Sequence, residues 1–475
     1  MKNKIIASVM AVTMVFGTAF SISAYAEDAE TTFDETVTAS YDAAVVMSGK
    51  YGENVKWTLD ANGTLTVSGK GKMENGLGNG IPMNEKEDVK KVVIQNGVTY
   101  ICDYAFNHFT NITSVIIPGG VTGIGKEAFN HCKSLKSINI PDSVTDIGQD
   151  AFRDCSNLTS ITIPDGVTSI GYSAFRRCTS LKSINIPNSV KSMGDWAFSE
   201  CSNLTSVTLS NSLTGIGEWA FSQCTSLKSI TIPDSVTGIG ERAFYKCTSL
   251  KSIKIPDSVK SIGGFAFDEC TSLTSIKIPD SMTVIDEYTF FKCSSLTNVT
   301  IPNSITKIDM DAFGDCEKIK SITIPNSVTF IGASAFGRCT SLTNITIPES
   351  VTEISSYALG YTFDQNTVRN VKIENFTISG YKNTAAEKYA NENGFKFIEL
   401  NKSGKPDTKT VSKGDANGDS KVNVADIAAI ASYIKGIKAL TGDGLKAADV
   451  NGDGNVNVAD IAMIASHIKG IKALS

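Results

Sequence analysis

Histidine is scarce in this sequence, and basic residues are not in excess. Only three of the 475 residues are histidine, so neither a histidine-based catalytic centre nor a histidine-rich metal site is expected. Acidic residues (49) outnumber basic ones (44), which leaves no surplus positive charge for nucleic-acid phosphates. After the amino terminus, no apolar run reaches the roughly 18 residues of a membrane helix. With 41% apolar residues, the chain is nevertheless too hydrophobic to be wholly disordered.

The amino terminus has the composition of a secretory signal peptide. Two lysines precede a largely apolar run from Ile5 to Phe20, and Ala24-Tyr25-Ala26 supplies a small-x-small cleavage site. We therefore expect residues 1–26 to be removed and the mature protein to be extracellular. A membrane helix is the alternative, although the apolar run is short for a span. The acidic, Thr/Ala-rich segment 27–47 is expected to be flexible.

A 23-residue repeat fills the middle of the chain. Ten of the 12 prolines, ten of the 11 cysteines and eleven phenylalanines, from Phe106 to Phe336, recur at this spacing. Each unit reads approximately C-x-S-L-x-S-I-x-I-P-x-S-V-T-x-I-G-x-x-A-F-x-x. Units that cannot bury their apolar faces alone do so by stacking into a solenoid. The repeat therefore predicts about eleven stacked coils over residues 98–359.

One short strand is expected in each unit. In the stretch from Leu135 to Ile140, alternation places Ile138 and Ile140 on one face, and the proline that follows ends the strand. The cysteines of the repeat have two possible states. We favour free thiols that pack in the core as small hydrophobes. Disulfides are the alternative, which secretion promotes but for which parallel side-chain directions are poorly suited.

This repeat resembles the BspA-like leucine-rich repeats, the 23-residue class of bacterial surface and secreted proteins. The resemblance extends to the flanks: residues 48–97 contain a stretch similar to the β-hairpin cap of such proteins, and residues 360–400 one similar to their closing helical segment. It implies a parallel-β solenoid that serves binding or adhesion, without catalytic residues. Caps are also required physically, because the end coils would otherwise expose core and strand edges.

One surface position of the repeat is rich in aromatic residues. It lies two residues before each repeat phenylalanine, and stacking of the coils would form a band able to contact sugar rings or a protein partner. The alternative is that the position merely tolerates aromatic side chains. Its occupants in five consecutive coils are Trp196, Trp219, Arg242, Phe265 and Tyr288.

A second duplication, with an offset of 34 residues, follows the polar linker 401–413. Residues 415–440 and 449–474 match at 21 of 26 positions, and each copy begins D-x-N-x-D with aspartate at its twelfth position. A 12-residue loop of this kind supplies the oxygen ligands that calcium prefers. The pattern predicts two calcium ions. Their ligands are Asp415, Asn417, Asp419, the Lys421 carbonyl, Asn423 (through water) and Asp426 in the first loop, and Asp449, Asn451, Asp453, the Asn455 carbonyl, Asn457 and Asp460 in the second.

The two loops differ at the sixth position, where calcium loops favour glycine. Gly454 meets this preference and Ser420 does not, so the turn of the first loop is the weaker expectation. An acidic loop without metal is the alternative, and an ordinary EF-hand is disfavoured because no helix precedes Asp415. After each loop, isoleucines spaced i, i+3 and i+7 predict an amphipathic helix. They are Ile427, Ile430 and Ile434 in the first copy and Ile461, Ile464 and Ile468 in the second.

Residues 414–475 closely resemble a type I dockerin, the small all-α module that attaches secreted proteins to the cohesins of a cellulosome scaffoldin. The resemblance implies that calcium couples to folding, that the partner is a scaffoldin cohesin, and that the protein is held at the cell surface through that scaffoldin. Both copies carry the same residues on the implied cohesin-facing surface, so either is expected to dock. These residues are Val424, Ala425, Ala431, Ser432 and Lys435, and Val458, Ala459, Ala465, Ser466 and Lys469.

The expected architecture is therefore α+β and multidomain: a capped parallel-β solenoid followed by a dockerin with two calcium loops. The leading interpretation is a non-catalytic cellulosome component whose solenoid binds plant cell-wall polysaccharide, a protein or a cell surface. The alternatives are an enzyme or accessory factor in polysaccharide degradation, and a passive spacer or host-facing adhesin. No paired-carboxylate site, HExxH, GxSxG or Cys-His arrangement is recognisable.

Overall fold

The structure is a computed structural model that describes residues 44–74, 85–401, 403–405, 412–440, 442–471 and 473–474. The signal peptide 1–26, most of segment 27–47 and part of linker 401–413 lie outside the described residues, and their assignments stay predictions. Within the described part of the chain, no helix combines the length and the apolar character needed to cross a bilayer.

An antiparallel meander opens the fold and passes directly into the solenoid. Its third strand pairs in parallel with Lys91–Ile94, which in turn pairs with the first repeat strand, Ser114–Ile116. The predicted hairpin cap is present, with one more strand in front of it and with Trp57 buried beneath it. The remaining elements of this cap are the strands Val45–Lys50, Val55–Asp60, Thr64–Gly69, Gly71–Lys72 and Val98–Tyr100 and the 3-10 helix Glu85–Asp88.

All but one of the successive coils contribute a three-residue strand to a first parallel ladder; the coil around Ile322 has no strand at this position. Partners are offset by one repeat, as in Ile161 opposite Ile138, so the 23-residue period sets the register. The central residue points into the core while its neighbours face solvent, because side chains alternate along a strand. The later strands of this ladder are Ser137–Asn139, Ser160–Thr162, Ser183–Asn185, Ser206–Thr208, Ser229–Thr231, Ser252–Lys254, Ser275–Lys277, Asn298–Thr300 and Asn344–Thr346.

A second ladder was not predicted from the sequence, which indicated one strand per unit. It forms at an apolar residue, usually isoleucine, that precedes a turn in ten of the units, as in Ile147 paired with Ile124 and Ile170. Close packing of coils requires glycine at Gly148, where a Cβ would lie 2.7 Å from the backbone carbon of Gly125. The strands are Gly123–Ile124, Asp146–Ile147, Ser169–Ile170, Ser192–Met193, Gly238–Ile239, Ser261–Ile262, Val284–Ile285, Lys307–Ile308, Phe330–Ile331 and Glu353–Ile354.

Columns of identical residues run through the solenoid core. The repeat phenylalanines are buried, and rings of adjacent coils stack 5.2–5.6 Å apart between Phe106 and Phe336. Beside them, the ten cysteines of the repeat are free thiols, as favoured above. The Cys201 thiol donates to the Phe175 carbonyl oxygen at 3.2 Å, and burial raises the pKa of this thiol to about 12. The thiols are therefore protonated hydrogen-bond donors.

The C-terminal cap combines the predicted helix with strands that the sequence did not reveal. Helix α1 (Ala385–Asn393) ends at Gly394, whose φ of 62° is left-handed. Strand Thr377–Gly380 pairs with the last strand of the first ladder and with Lys396–Glu399. An antiparallel hairpin, here called the C-terminal hairpin, consists of Tyr361–Asp364 and Arg369–Lys372.

The dockerin-like segment contains three helices: α2 (Val424–Ile434), α3 (Gly442–Ala448) and α4 (Val458–Ile468). The helices after the two loops were predicted; α3 was not. Ile430 and Ile464 occupy equivalent positions and are both completely buried in a small shared core. The internal duplication thus supplies two similar halves that pack on each other.

Candidate functional site

The first loop gathers three carboxylates. Ligand atoms of Asp415, Asp419 and Asp426 all lie within 4.8 Å of one another, and this is the one such acidic group among the residues that the structure describes. Asp415 accepts the backbone N–H groups of Asp419 (3.0 Å) and Ser420 (2.8 Å), which wraps the loop around its first residue. The arrangement suits a hard cation with oxygen ligands.

The twelfth residue of each loop is a buried carboxylate. Asp426 and Asp460 are completely buried, and neither forms an ion pair with a described basic side chain. Asp426 accepts backbone N–H groups from Asn417 (3.0 Å) and Asn423 (2.9 Å), and Asp460 makes equivalent bonds. A buried charge is costly unless a counter-charge accompanies it. The residues present therefore fit a bound calcium ion.

The second loop is less closed than the first, contrary to the expectation from their sixth residues. Asp449 is only partly buried, and its carboxylate also accepts the Gly452 N–H at 2.8 Å. The asparagines at the ninth position of the two loops cap the helices that follow, a role that was not predicted. The Asn423 side chain accepts the Ala425 N–H at the start of α2, and Asn457 caps α4 in the same way. The water-mediated contacts of these asparagines, the ligand roles of all twelve predicted residues and the count of two ions stay predictions.

Ser420 offers a test of the first loop. Its φ is +65°, a left-handed conformation that its counterpart Gly454 adopts without a Cβ penalty. We expect Ser420→Gly to stabilise the calcium-loaded module by about 0.5–1 kcal/mol, measured as the free energy of unfolding in denaturant. The matched change Gly454→Ser should destabilise it. Equal effects of the two changes would contradict this account.

The implied cohesin-facing residues lie on the outer sides of α2 and α4. Val424 and Val458 are each 68% exposed, which is unusual for valine at the start of a helix. Ala425, Ala459, Lys435 and Lys469 are exposed as well, whereas Ala431, Ser432, Ala465 and Ser466 are partly buried. The two sets have matching exposure, so each helix presents the same surface.

Two exposed isoleucines extend these surfaces and were missed from the sequence. Ile437 is 74% exposed and Ile471 73%. The Ile437 N–H donates to the Ser432 carbonyl oxygen, and the Ile471 N–H to that of Ser466, which fixes both residues against the ends of their helices. The sequence did contain an indication of this surface, because an apolar residue recurs in both copies outside the i, i+3, i+7 pattern of the core.

The structure brings the five residues of the predicted aromatic band into one column. Trp196 and Trp219 stack with ring centroids 4.4 Å apart, and Phe265 and Tyr288 stack at 4.5 Å. The Arg242 guanidinium lies between these pairs, 4.8 Å from the Trp219 ring and 4.1 Å from the Phe265 ring. All five side chains are partly buried.

This stacking changes what the band offers to a ligand. The Trp219 ring lies between Trp196 and Arg242, and Arg176 lies 4.5 Å over the Trp196 ring. Ring faces are therefore turned toward other residues of the protein, and a sugar ring cannot stack on them without displacing one. What remains for contact is the ring edges, and ligand binding by this band stays a prediction.

A column of alternating charge runs beside the band, two residues after each repeat phenylalanine. Neighbours in the stack pair, as in Arg177 with Glu200 at 2.8 Å and Arg338 with Asp315 at 2.7 Å. Lys246 and Lys292 approach Glu269 from either side at 3.7 and 3.6 Å. These carboxylates, which appear scattered in the sequence, are thus engaged in contacts between coils.

Family models match both parts of the chain. The model of the BspA type leucine rich repeat region matches six copies over residues 83–204, 147–272 and 260–393. The model of the dockerin type I domain matches residues 413–469. No curated protein matches the chain.

Solved structures of bacterial leucine-rich repeat proteins are similar to the solenoid. One from Bacteroides ovatus is 27% identical, with a TM-score of 0.56, over 76% of this chain and 100% of that one. A leucine rich cell surface protein from Faecalibacterium prausnitzii is 32% identical over 66% of this chain and 91% of that one, with a TM-score of 0.42. One from Eubacterium ventriosum is 22% identical over 66% and 98%, with a TM-score of 0.41.

Proposed function

The chain belongs to the BspA-type leucine-rich repeat family and carries a C-terminal type I dockerin domain, and on this premise we propose that it is a secreted, non-catalytic component of a cellulosome. A dockerin implies binding to a cohesin, and leucine-rich repeats imply a binding module. In this proposal, the dockerin attaches the protein to a scaffoldin at the cell surface. The solenoid then holds a target: plant cell-wall polysaccharide, a protein or a cell surface.

One observation carries the docking role: the dockerin exposes two equivalent apolar surfaces beside its two acidic loops. Val424 and Ile437 on one side correspond to Val458 and Ile471 on the other, with nearly equal exposure. Exposed apolar residues that recur in both halves mark a protein interface rather than a solvated surface. We propose that either surface docks, in two orientations of the same module.

Charge placed at the start of each helix tests this docking proposal. We expect Val424→Asp and Val458→Asp, singly, to weaken binding to a type I cohesin by no more than about twofold, because the other surface remains. The double variant should bind roughly a hundredfold more weakly, since an unpaired charge would be buried in the interface. Both changes are compatible with folding, because aspartate is favourable in the first turn of a helix.

The measurement is calorimetric titration of the full chain, with calcium, against a panel of type I cohesins. Loss of binding in one single variant would contradict the use of both surfaces. Unchanged binding by the double variant would contradict the assignment of the cohesin face.

The non-catalytic part of the proposal is supported by the carboxylates of the solenoid. The pairs Arg177–Glu200 and Arg338–Asp315 tie these carboxylates into ion pairs between coils, which is a structural role. An enzyme or accessory factor in polysaccharide degradation is the alternative, and a passive spacer or host-facing adhesin is another. Release of reducing sugar from plant cell-wall polysaccharide by the purified chain would contradict the non-catalytic role.

A further inference from the structure

We propose that the cavity between the C-terminal hairpin and the last coils of the solenoid binds a short neutral saccharide. The proposal rests on the proposed role of the solenoid as a binding module, and it names the site and the ligand class. The site is distinct from the aromatic band, although it begins where the band ends, at Phe291 beside Tyr288.

The C-terminal hairpin is an insertion into the repeat. The Ile373 N–H donates to the Gly360 carbonyl oxygen at 2.8 Å, so the chain leaves the solenoid wall and rejoins it at one point. Insertions in repeat proteins form loops on one face, which is often the binding face. The hairpin also exposes apolar side chains, with Phe363 42% and Val368 73% accessible. Such exposure is more than a purely solvated turn requires.

The hairpin and four successive coils line an open cavity of about 680 Å³. Small-molecule sites typically span roughly 300–1,000 Å³ and combine apolar walls with a few placed polar groups. Here Phe291 and Phe363 form the aromatic walls, and Asp315, Glu317 and Arg338 are among the polar ones.

Internal contacts hold the polar wall in place. Arg338 Nε donates to Asp315 at 2.7 Å, and its terminal nitrogen donates to the buried Asp311 at 3.0 Å. The same guanidinium lies 5.4 Å from the centre of the Phe291 ring, whose edge packs against Tyr288. A wall fixed in this way loses little conformational entropy when a ligand binds.

The charges of the cavity balance. Lys292 and Arg338 face Asp315 and Glu317 around it, so the site has no net attraction for an ion of either sign. A sugar ring has an apolar C–H face and an edge of hydroxyl groups. The C–H face suits the exposed ring of Phe363. The hydroxyl edge suits the carboxylates of Asp315 and Glu317, which accept hydrogen bonds from hydroxyls. A peptide that adds as a strand to the backbone edge of the hairpin would not need these carboxylates.

The test uses the full chain with calcium and titrates it with cellotetraose, xylotetraose and mannotetraose in a calorimeter. We expect the wild-type chain to bind at least one of them, and Phe363→Ala and Glu317→Gln each to weaken that binding about tenfold. Val368→Ala is the matched control, because it removes an exposed apolar side chain of the same hairpin that does not line the cavity, and it should bind as wild type. Thermal unfolding of each variant checks that the solenoid is intact.

Several outcomes would overturn the proposal for this cavity. They can be told apart from outcomes that would overturn the proposed function of the whole protein. Unchanged binding by Phe363→Ala and Glu317→Gln would leave the solenoid a binding module but remove the cavity as its site. Loss of binding only in a Trp196→Ala/Trp219→Ala variant would move the site to the aromatic band. No binding of any of the three saccharides by the wild-type chain would overturn the ligand class. Cohesin binding, measured on the same samples, reports separately on docking.

Discussion

Excess EDTA should abolish binding of this chain to any type I cohesin and melt its dockerin, while the solenoid stays folded. The reason is the burial of Asp426 and Asp460, two carboxylates enclosed by backbone N–H groups without a described basic partner. Calcium supplies the missing positive charge, and the site does not exist in the unfolded chain. At free calcium about a thousandfold above the dissociation constant, each bound ion contributes about 4 kcal/mol to the stability of the module.

The measurement combines far-ultraviolet circular dichroism, calorimetric unfolding and cohesin titration, each before and after EDTA. Excess magnesium should not restore binding, because magnesium demands a tighter octahedral arrangement of ligands than a calcium loop provides. Calcium titration of the apo chain should give two ions per chain; a stoichiometry of one would contradict the predicted count. Undiminished cohesin binding in excess EDTA would contradict the coupling of calcium to docking.

Phe221→Ala should be among the most damaging single truncations in the solenoid, with a loss of about 3–5 kcal/mol in the free energy of unfolding. The Phe221 ring is completely buried, and it stacks between Phe198 and Phe244 at 5.6 Å on each side. Its removal leaves a cavity that touches two interfaces between coils. Because each coil contacts only its neighbours, the damage should split the unfolding transition at this coil.

Denaturant unfolding of the calcium-loaded chain, followed by circular dichroism, measures this loss. The control is Trp219→Ala, which truncates an aromatic side chain of the same coil that is only partly buried. The Trp219→Ala variant loses a ring stack worth about 0.5–1.5 kcal/mol and a contact with Arg242. Its loss in free energy of unfolding should therefore be clearly smaller than that of Phe221→Ala. Cohesin binding should be unchanged in both variants. Equal losses in the two would show that the column of phenylalanines does not dominate the stability of the solenoid.

The periodic features of the chain could be predicted because residues that recur at a fixed spacing occupy equivalent positions in successive coils. A spacing of 23 residues forces Phe198, Phe221 and Phe244 into one column and sets the register of the first ladder. The same logic placed the thiols in the core. It could not reveal that Cys201 donates to the Phe175 carbonyl, since the acceptor belongs to an adjacent coil and is a backbone atom that every residue carries.

The features that were missed depend on backbone conformation and on orientation. The occupants of the aromatic position have left-handed backbones, with φ of 62° at Trp196 and 56° at Trp219. This conformation directs the rings along the solenoid, so they cover each other instead of facing outward. Tryptophan has no preference for this backbone conformation, which residues other than glycine rarely adopt. The sequence therefore gave no indication of it.

The sequence by itself determined the modular plan: a capped solenoid of 23-residue coils and a duplicated pair of acidic loops, each followed by a helix. The coils and the paired loops follow from spacing, because identical positions in repeated units share an environment, whereas the caps were expected from the family resemblance and from the need to cover the end coils. Tertiary structure decided what each surface presents. It turned the ring faces of the band toward one another along the solenoid, closed the loop with Ser420 more tightly than the loop with Gly454, and folded the insertion at residues 361–372 over a cavity. Those outcomes depend on backbone conformation and on local contacts, and spacing alone carries no information about either.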